Sequence, residues 1–262
     1  LADMSFAPPW IHKFEVKPGS WVYIPSTATR VLGERITKQV KSVWHAPNYF
    51  YHLNQGGHVK ALHSHLNDNY FASIDISDFF GSISRSRITR SLKRNFGYEQ
   101  AREIAMASTV KHYKLEKHSH SLPFGFVQSP ILASVCLDDS TLGECIKACS
   151  NNSTLNISVY MDDIVISSDS IQELTKQMEL LKDAAKRSHF SLNAEKESPP
   201  SDSVVAFNIE LSHSSMKITD SRYIKFVQAY LTAKSEPERE GIVGYVGTVN
   251  FKQAKSLEML QI

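Results

Sequence analysis

The sequence predicts an α+β fold, with helices packed on one face of an antiparallel sheet, and three observations lead there. "LNISVY" (155–160) and "IVISS" (164–168) are apolar, β-rich runs separated only by Met161, Asp162 and Asp163, which reads as a β-hairpin. "YFASID" (70–75) reads as a further short, buried strand. "SIQELTKQMELLKDAAKRSHF" follows the hairpin with Ile171, Leu174, Met178, Leu181 and Ala185 on one helical stripe. Antiparallel hairpins alternating with helices do not build a doubly wound parallel sheet.

The other elements follow from local signals. Residues 1–50 are aromatic and Pro-rich with weak periodicity, except in "TRVLGERITKQVKSVW" (29–44), where Val31, Leu32, Ile36, Val40 and Val43 recur near helical spacing. A serine-capped helix is expected from Ser84 to Arg94, and another over "EQAREIAMASTVKH" (99–112). "LPFG" breaks the chain. Ser129-Pro130 then reads as the N-cap and first position of a single helix running to Cys149. "VVAFNIEL" and "SMKIT" read as two strands of a second hairpin turning at "SHS". Two helical segments, 220–232 and from 238 onward, are expected to close the chain.

With 262 residues the chain can form one large domain or a few subdomains sharing a core. Its 42% hydrophobic and 21% charged content is that of a soluble globular protein. No apolar run reaches the ~18–20 residues of a membrane span. The opening "LADMSFAPPWIHKF" has no basic n-region, no apolar h-region and no initiator Met, so it does not read as a signal peptide, and residues are expected upstream. The few, unpatterned cysteines favour a reducing, cytosolic setting. His63, His65, His118 and His120 with Cys136, Cys145 and Cys149 match no zinc module. Cys145 and Cys149 read as helix packing residues, and "KLEKHSHSLPF" as a solvated loop.

A net charge of +2 says little about partners, but its distribution says more. "SRSRITRSLKR" carries Arg85, Arg87, Arg90, Lys93 and Arg94 without an acid, which makes a candidate phosphate-facing surface or else a solvated helix face. Asp162 and Asp163 pose the opposite problem. Adjacent carboxylates among Val159, Ile164, Val165 and Ile166 are costly unless something positive pairs with them. Asp75 ends another apolar strand. If the two strands are neighbours, the carboxylates converge at one end of a sheet, where a divalent cation is needed. Magnesium suits one or two carboxylates plus substrate phosphates. Two ions about 3.5–4 Å apart would clamp a phosphoryl transfer.

These motifs resemble those of reverse transcriptases. "YMDD" (160–163) is similar to the family's YxDD box, "DISDFF" (75–80) to its first catalytic motif, and "LPFGFVQSP" (122–130) to its LPxGxxxSP segment, in the same order. "HFSLNAEKE" and "VVAFNIELSHSSMKIT" resemble the later lysine-bearing segment and the hairpin that supports the primer end. The resemblance covers about residues 70–220. It implies a right-hand polymerase fold: an antiparallel palm sheet backed by helices, with helical fingers and a small helical thumb. Residues 1–69 would be the N-terminal segment and fingers, 70–219 the palm with finger-like helices at 84–121, and 220–262 a small or partial thumb.

The resemblance also implies roles. Asp75, Asp162 and Asp163 would be the catalytic triad. With the Ile76 carbonyl they would hold two Mg²⁺ ions, with Mn²⁺ as a substitute. Phe80 would sit beneath the deoxyribose and exclude a 2′-OH, so dNTPs would be the substrates. If the strand continues, alternation sends Phe79 to the core and Phe80 to the nucleotide. Gly125 would admit nucleotide or template backbone. Phe124 stands where many members carry Gln, replacing a polar contact near the sugar by apolar packing. Lys196 would approach the leaving pyrophosphate, and Arg30 and Lys60 the triphosphate. Arg85, Arg87 and Arg90 would meet nucleic acid.

"FFGSISRSRITRSL" and "LPFGFVQSPILAS" look closer to bacterial retron-like and abortive-infection or phage-defence reverse transcriptases than to viral enzymes. That implies a cytoplasmic bacterial enzyme acting in antiphage defence. It would have a noncoding RNA template and a DNA product, and form a homo-oligomer or pair with a partner polymerase. No ribonuclease H or endonuclease-like segment is expected after Ile262. Alternatives are a template-independent or protein-primed DNA polymerase, an RNA polymerase with the same palm, and a catalytically silent nucleic-acid scaffold.

Overall fold

The computed structural model describes residues 9–17, 19–111 and 119–260, so His118 and part of the "KLEKHSHSLPF" loop lie outside the described residues. In chain order the elements are β1 (Trp10–Lys17), β2 (Ser20–Pro25), α1 (Thr27–Val43), a 3-10 turn (Tyr51–Leu53), α2 (Gly57–His63) and β3 (Tyr70–Asp75). Then come α3 (Phe79–Ser82), α4 (Arg85–Phe96), α5 (Tyr98–Ala107), β4 (Val110–Lys111), β5 (His120–Ser121), α6 (Ser129–Asp138) and α7 (Thr141–Ser150). The hairpin β6 (Asn156–Tyr160) and β7 (Asp163–Ser168) leads into α8 (Ile171–Arg187). β8 (Ser198–Ser201), β9 (Ser203–Ala206), β10 (Ile209–Ser212) and β11 (Ser215–Ile218) precede α9 (Asp220–Thr232), α10 (Glu236–Val249) and α11 (Phe251–Glu258). None of the described helices is long and apolar enough to cross a membrane. Helices and antiparallel sheets together make the α+β architecture of a right-hand polymerase fold.

The chain divides into two compact units. One comprises the described residues up to Pro47, Ser77–Glu144 and Ala185–Ser191; the other comprises Asn48–Ile76, Cys145–Ala184 and Leu192 onward.

In the second unit, an antiparallel sheet of order β6-β7-β3-β8 joins the two predicted strand regions. Phe71 and Val165 of this sheet share a core with Val204, Ile209, Leu211, Met216 and Ile218 of the β9–β11 sheet, and with Tyr230, Val246 and Leu257 of α9–α11. That shared burial ties the C-terminal helices to the sheets. The "VVAFNIEL" segment is not one strand but a hairpin of its own. Phe207 and Asn208 both take positive φ (56° and 61°), the conformation a tight two-residue hairpin turn demands. The expected turn at "SHS" is present between β10 and β11. Three helices close the chain rather than two. Asn250 divides the last pair by capping α11, its side chain accepting from the Gln253 N–H.

In the first unit, α6 is buried almost all round, from Ile131 to Leu137. The single helix expected to reach Cys149 stops at Asp138 and restarts at Thr141, because Ser140 provides a new cap: its Oγ accepts from the Gly143 N–H at 3.2 Å. Ser84 caps α4 as expected, accepting from the Arg87 N–H. α5 ends at Ala107, short of 112, and Val110–Lys111 pairs with His120–Ser121 instead. The sequence reading assigned no strand before Tyr70. In fact β1 and β2 form an antiparallel hairpin, with Trp10 and Trp21 packed on Tyr23, Val110 and Phe126.

Candidate active site

The sheet of the second unit builds the carboxylate site. β3 and β7 pair in register from Tyr70↔Ser168 to Asp75↔Asp163, so two of the three aspartates face each other at the end of the ladder. Both strands are buried along nearly their whole length, from Phe71 to Asp75 and from Ile164 to Ser168, as befits the two interior strands of the sheet. Asp162 lies in the turn, and its carbonyl accepts from the Ile76 N–H at 2.8 Å. Asp75 is 4% exposed. Its Oδ2 meets Lys196 Nζ at 2.7 Å, and this contact, with the neighbouring carboxylates, raises the lysine above its ordinary value. Asp163 is half-buried. Its pKa is pushed up to about 7, first by burial and then by the charges of Asp162 and Asp75, against a smaller opposing pull from Lys196.

Sequence reasoning missed one residue here. Met161, in the turn, takes φ 58°. Its N–H donates to His52 Nδ1 at 3.0 Å. Nothing in the sequence marks this contact, because the partner is a backbone amide 109 residues away.

Among the described residues, no three His, Cys, Asp or Glu side chains are already gathered around one ion position. The donor set nevertheless fits a divalent cation. Crowded carboxylates that push Asp163 toward protonation are what a bound cation would relieve, and Lys196 already supplies one positive charge to Asp75. Lys60, also in this unit, lines an open cleft with His58, His63, Tyr245 and Thr248.

The first unit carries the other candidates. Phe80 does not continue a strand. Asp78 takes φ 50°, its carbonyl accepts from the Ser82 N–H, and the chain winds into α3. Phe79 and Phe80 are both buried, yet they meet different partners: Phe79 packs toward Phe190, and Phe80 meets the edge of Phe124 at 4.6 Å and 85°. Phe124 is 43% exposed, so it is the more open ring of that pair. Gly125 takes φ 103°, and a Cβ there would collide with the Tyr23 carbonyl oxygen. The close approach that glycine allows is thus filled by the β2 backbone, which also hydrogen bonds Phe124.

Arg30 pairs with Glu34 at 3.5 Å on the exposed side of α1. Arg85 donates to Thr109 Oγ1 at 2.9 Å. Arg87 donates to the Ser188 carbonyl and lies over the Phe190 ring, 4.1 Å from its centroid. Arg90, Lys93 and Arg94 line a cleft with Trp44, Asp138 and Asp139.

No curated protein matches this chain. Apo telomerase from Candida tropicalis is similar in fold, with a TM-score of 0.55 at 9% identity over 89% of this chain and 44% of the other. Telomerase from Candida albicans, solved with a fragment of telomeric RNA, gives 0.54 at 8% identity over 89% and 48%. A foamy viral protease-reverse transcriptase with double-stranded DNA gives 0.49 at 18% identity over 95% and 38%. The chain spans less than half the length of each of these proteins. The family profile described as reverse transcriptase (RNA-dependent DNA polymerase) matches residues 11–204, most of the chain, and therefore the chain belongs to the reverse transcriptase family.

Proposed function

We propose that this protein is an RNA-directed DNA polymerase that adds dNTPs to a primer 3′-OH. The observation that carries the reading is the pairing of Asp75 with Asp163 at the end of the β3–β7 ladder, with Asp162 in the adjoining turn. Asp75, Asp162 and Asp163, with the Ile76 carbonyl, would hold two Mg²⁺ ions. Bound there, the ions would acidify the attacking hydroxyl and neutralise charge on the leaving pyrophosphate. Lys196 balances the Asp75 carboxylate and is near enough to this acidic cluster to meet a pyrophosphate. Phe80 with Phe124 offers an apolar surface for a deoxyribose, while Lys60 and Arg30 are the candidates for the triphosphate. Arg85 and Arg90 are the candidates for nucleic-acid phosphates. The fingers, palm and thumb boundaries belong to the same proposal.

The finer reading is a cytoplasmic bacterial enzyme of the retron-like or phage-defence kind, copying a noncoding RNA. It rests on the likeness of "FFGSISRSRITRSL" and "LPFGFVQSPILAS" to that group. The test is dNTP incorporation on an RNA template with an annealed DNA primer, with and without Mg²⁺. Mg²⁺-dependent extension by the wild type and none by Asp162→Asn is the expected result. A wild type that binds the hybrid but never extends it would leave only a scaffold role. Sequencing nucleic acid that co-purifies with the protein tests the template assignment.

A further inference from the structure

We infer that His52 is a positioning residue for the aspartate-bearing turn, acting through the backbone of Met161; this rests on the polymerase reading above. β6 is the edge strand of its sheet, and such an edge leaves backbone groups unpaired. The segment Tyr49–His52 covers that edge. The Tyr49 carbonyl accepts from the Val159 N–H at 2.8 Å, and Phe50 forms a parallel bridge with Val159. His52 extends the cover past the end of the strand, where no backbone can follow the chain into its turn. Its Nδ1 accepts from the Met161 N–H, and the ring also hydrogen bonds the Val159 backbone. A nitrogen that accepts from an amide carries no proton, so the ring is neutral and its tautomer is fixed.

The turn needs this support. Met161 is a non-glycine residue in the left-handed region, where its Cβ crowds the following carbonyl oxygen. The turn is held from both sides: His52 holds the Met161 N–H, and Ile76 holds the Asp162 carbonyl. The imidazole is itself fixed by edge contacts with Phe50 and Tyr160, each with ring centres 5.8 Å apart. Tyr160 is also flanked by His58 and Phe207, which closes an aromatic box next to the aspartates. Without the ring nitrogen, the amide would be free to rotate, and Asp162 and Asp163 would lose their fixed direction.

The test compares His52→Asn, whose amide oxygen can stand where Nδ1 stands, with His52→Ala. Selective ¹⁵N-methionine labelling gives only six amide signals, so Met161 can be followed directly. In the wild type the Met161 amide is expected to exchange slowly; it loses that protection in His52→Ala and keeps most of it in His52→Asn. Primer extension by His52→Ala should fall about tenfold in kcat with KM for dNTP changed by less than about twofold. Calorimetric titration of Mg²⁺ should show affinity weakened by about tenfold in the same variant. His52→Asn should recover most of both. The inference is overturned if the two variants behave alike, or if the wild-type Met161 amide exchanges freely. Slow exchange in a wild type that never extends primer would sink the polymerase reading and with it the catalytic role. Normal extension by His52→Ala would sink the positioning role alone.

Discussion

Asp75 and Asp163 sit directly opposite each other across the β3–β7 ladder, and among the described residues only Asp75 of the two has a cation in contact with it, the Lys196 ammonium at 2.7 Å. Two like charges facing each other across a sheet destabilise it. The pair is therefore asymmetric: one carboxylate is compensated within the protein, and the other carries the strain of burial and of two acidic neighbours.

That asymmetry predicts opposite responses to neutralisation. Without divalent ions, Asp163→Asn should raise the melting temperature by about 2 °C, because it removes a facing charge worth up to about 1 kcal/mol. Asp75→Asn should give no gain, since it strands Lys196. Both should abolish extension. Thermal melts in chelator measure the first effect, and equal losses of stability in the two variants would refute the argument.

The edge-to-face contact of Phe80 with Phe124 predicts shared control of sugar selection. Phe80→Ala should widen acceptance of rNTPs by about tenfold or more. Phe124→Ala should act in the same direction by removing the ring that holds Phe80, a contact worth about 0.5–1.5 kcal/mol beyond its area. Two residues in one contact do not act additively, so the double variant should resemble Phe80→Ala. Ratios of kcat/KM for dNTP and rNTP decide it, and fully additive changes would separate the two roles.

The arginines of α4 should divide by function. Arg87 donates to the Ser188 carbonyl and stacks on Phe190, so Arg87→Ala should cost about 1–3 kcal/mol of stability. Arg90 lines an open cleft instead. Arg90→Glu should leave stability intact, weaken hybrid binding and lower the salt slope by about one. A melt and a binding titration at several salt concentrations check both. Unchanged binding in Arg90→Glu would make this a solvated face.

The hairpin that bears Asp162 and Asp163 was legible because short apolar runs on both sides of them leave few alternatives to a tight turn, and the continuous burial of both strands suits an interior pair with the Asp75 strand. Where prediction failed, the deciding interactions were not periodic. Phe79 and Phe80 read as strand until the left-handed Asp78 redirected the backbone. One helix became two because Ser140 caps a new start after the apolar run from Ile131 to Leu137. Phe207 and Asn208 make a tight turn without glycine, so "VVAFNIEL" looked continuous. His52 was invisible because the residue it holds contributes only a backbone amide.

His65 is fully buried between two strands: Nδ1 lies 2.6 Å from Ser167 Oγ and Nε2 lies 2.8 Å from Ser158 Oγ. Ser167 spends its hydrogen on Asp68 Oδ2, which also accepts from Asn156, so its oxygen must accept from Nδ1–H and Nε2 must accept from Ser158. Burial pushes His65 down to about 3 and His52 down to about 4. Both values lie below the unfolded-state value of about 6.5, so the unfolded chain binds protons that the folded one refuses. The stability tied to these two histidines is whole above about pH 6.5 and falls as the pH drops, each removing up to about 1.4 kcal/mol per pH unit. Asp163, raised to about 7, takes up a proton in the folded state and offsets part of the loss. Urea denaturation of the metal-free protein should therefore give a lower midpoint at pH 5 than at pH 7. His65→Gln should flatten that dependence by one proton, and an unchanged slope in the variant would show that His65 does not titrate with unfolding.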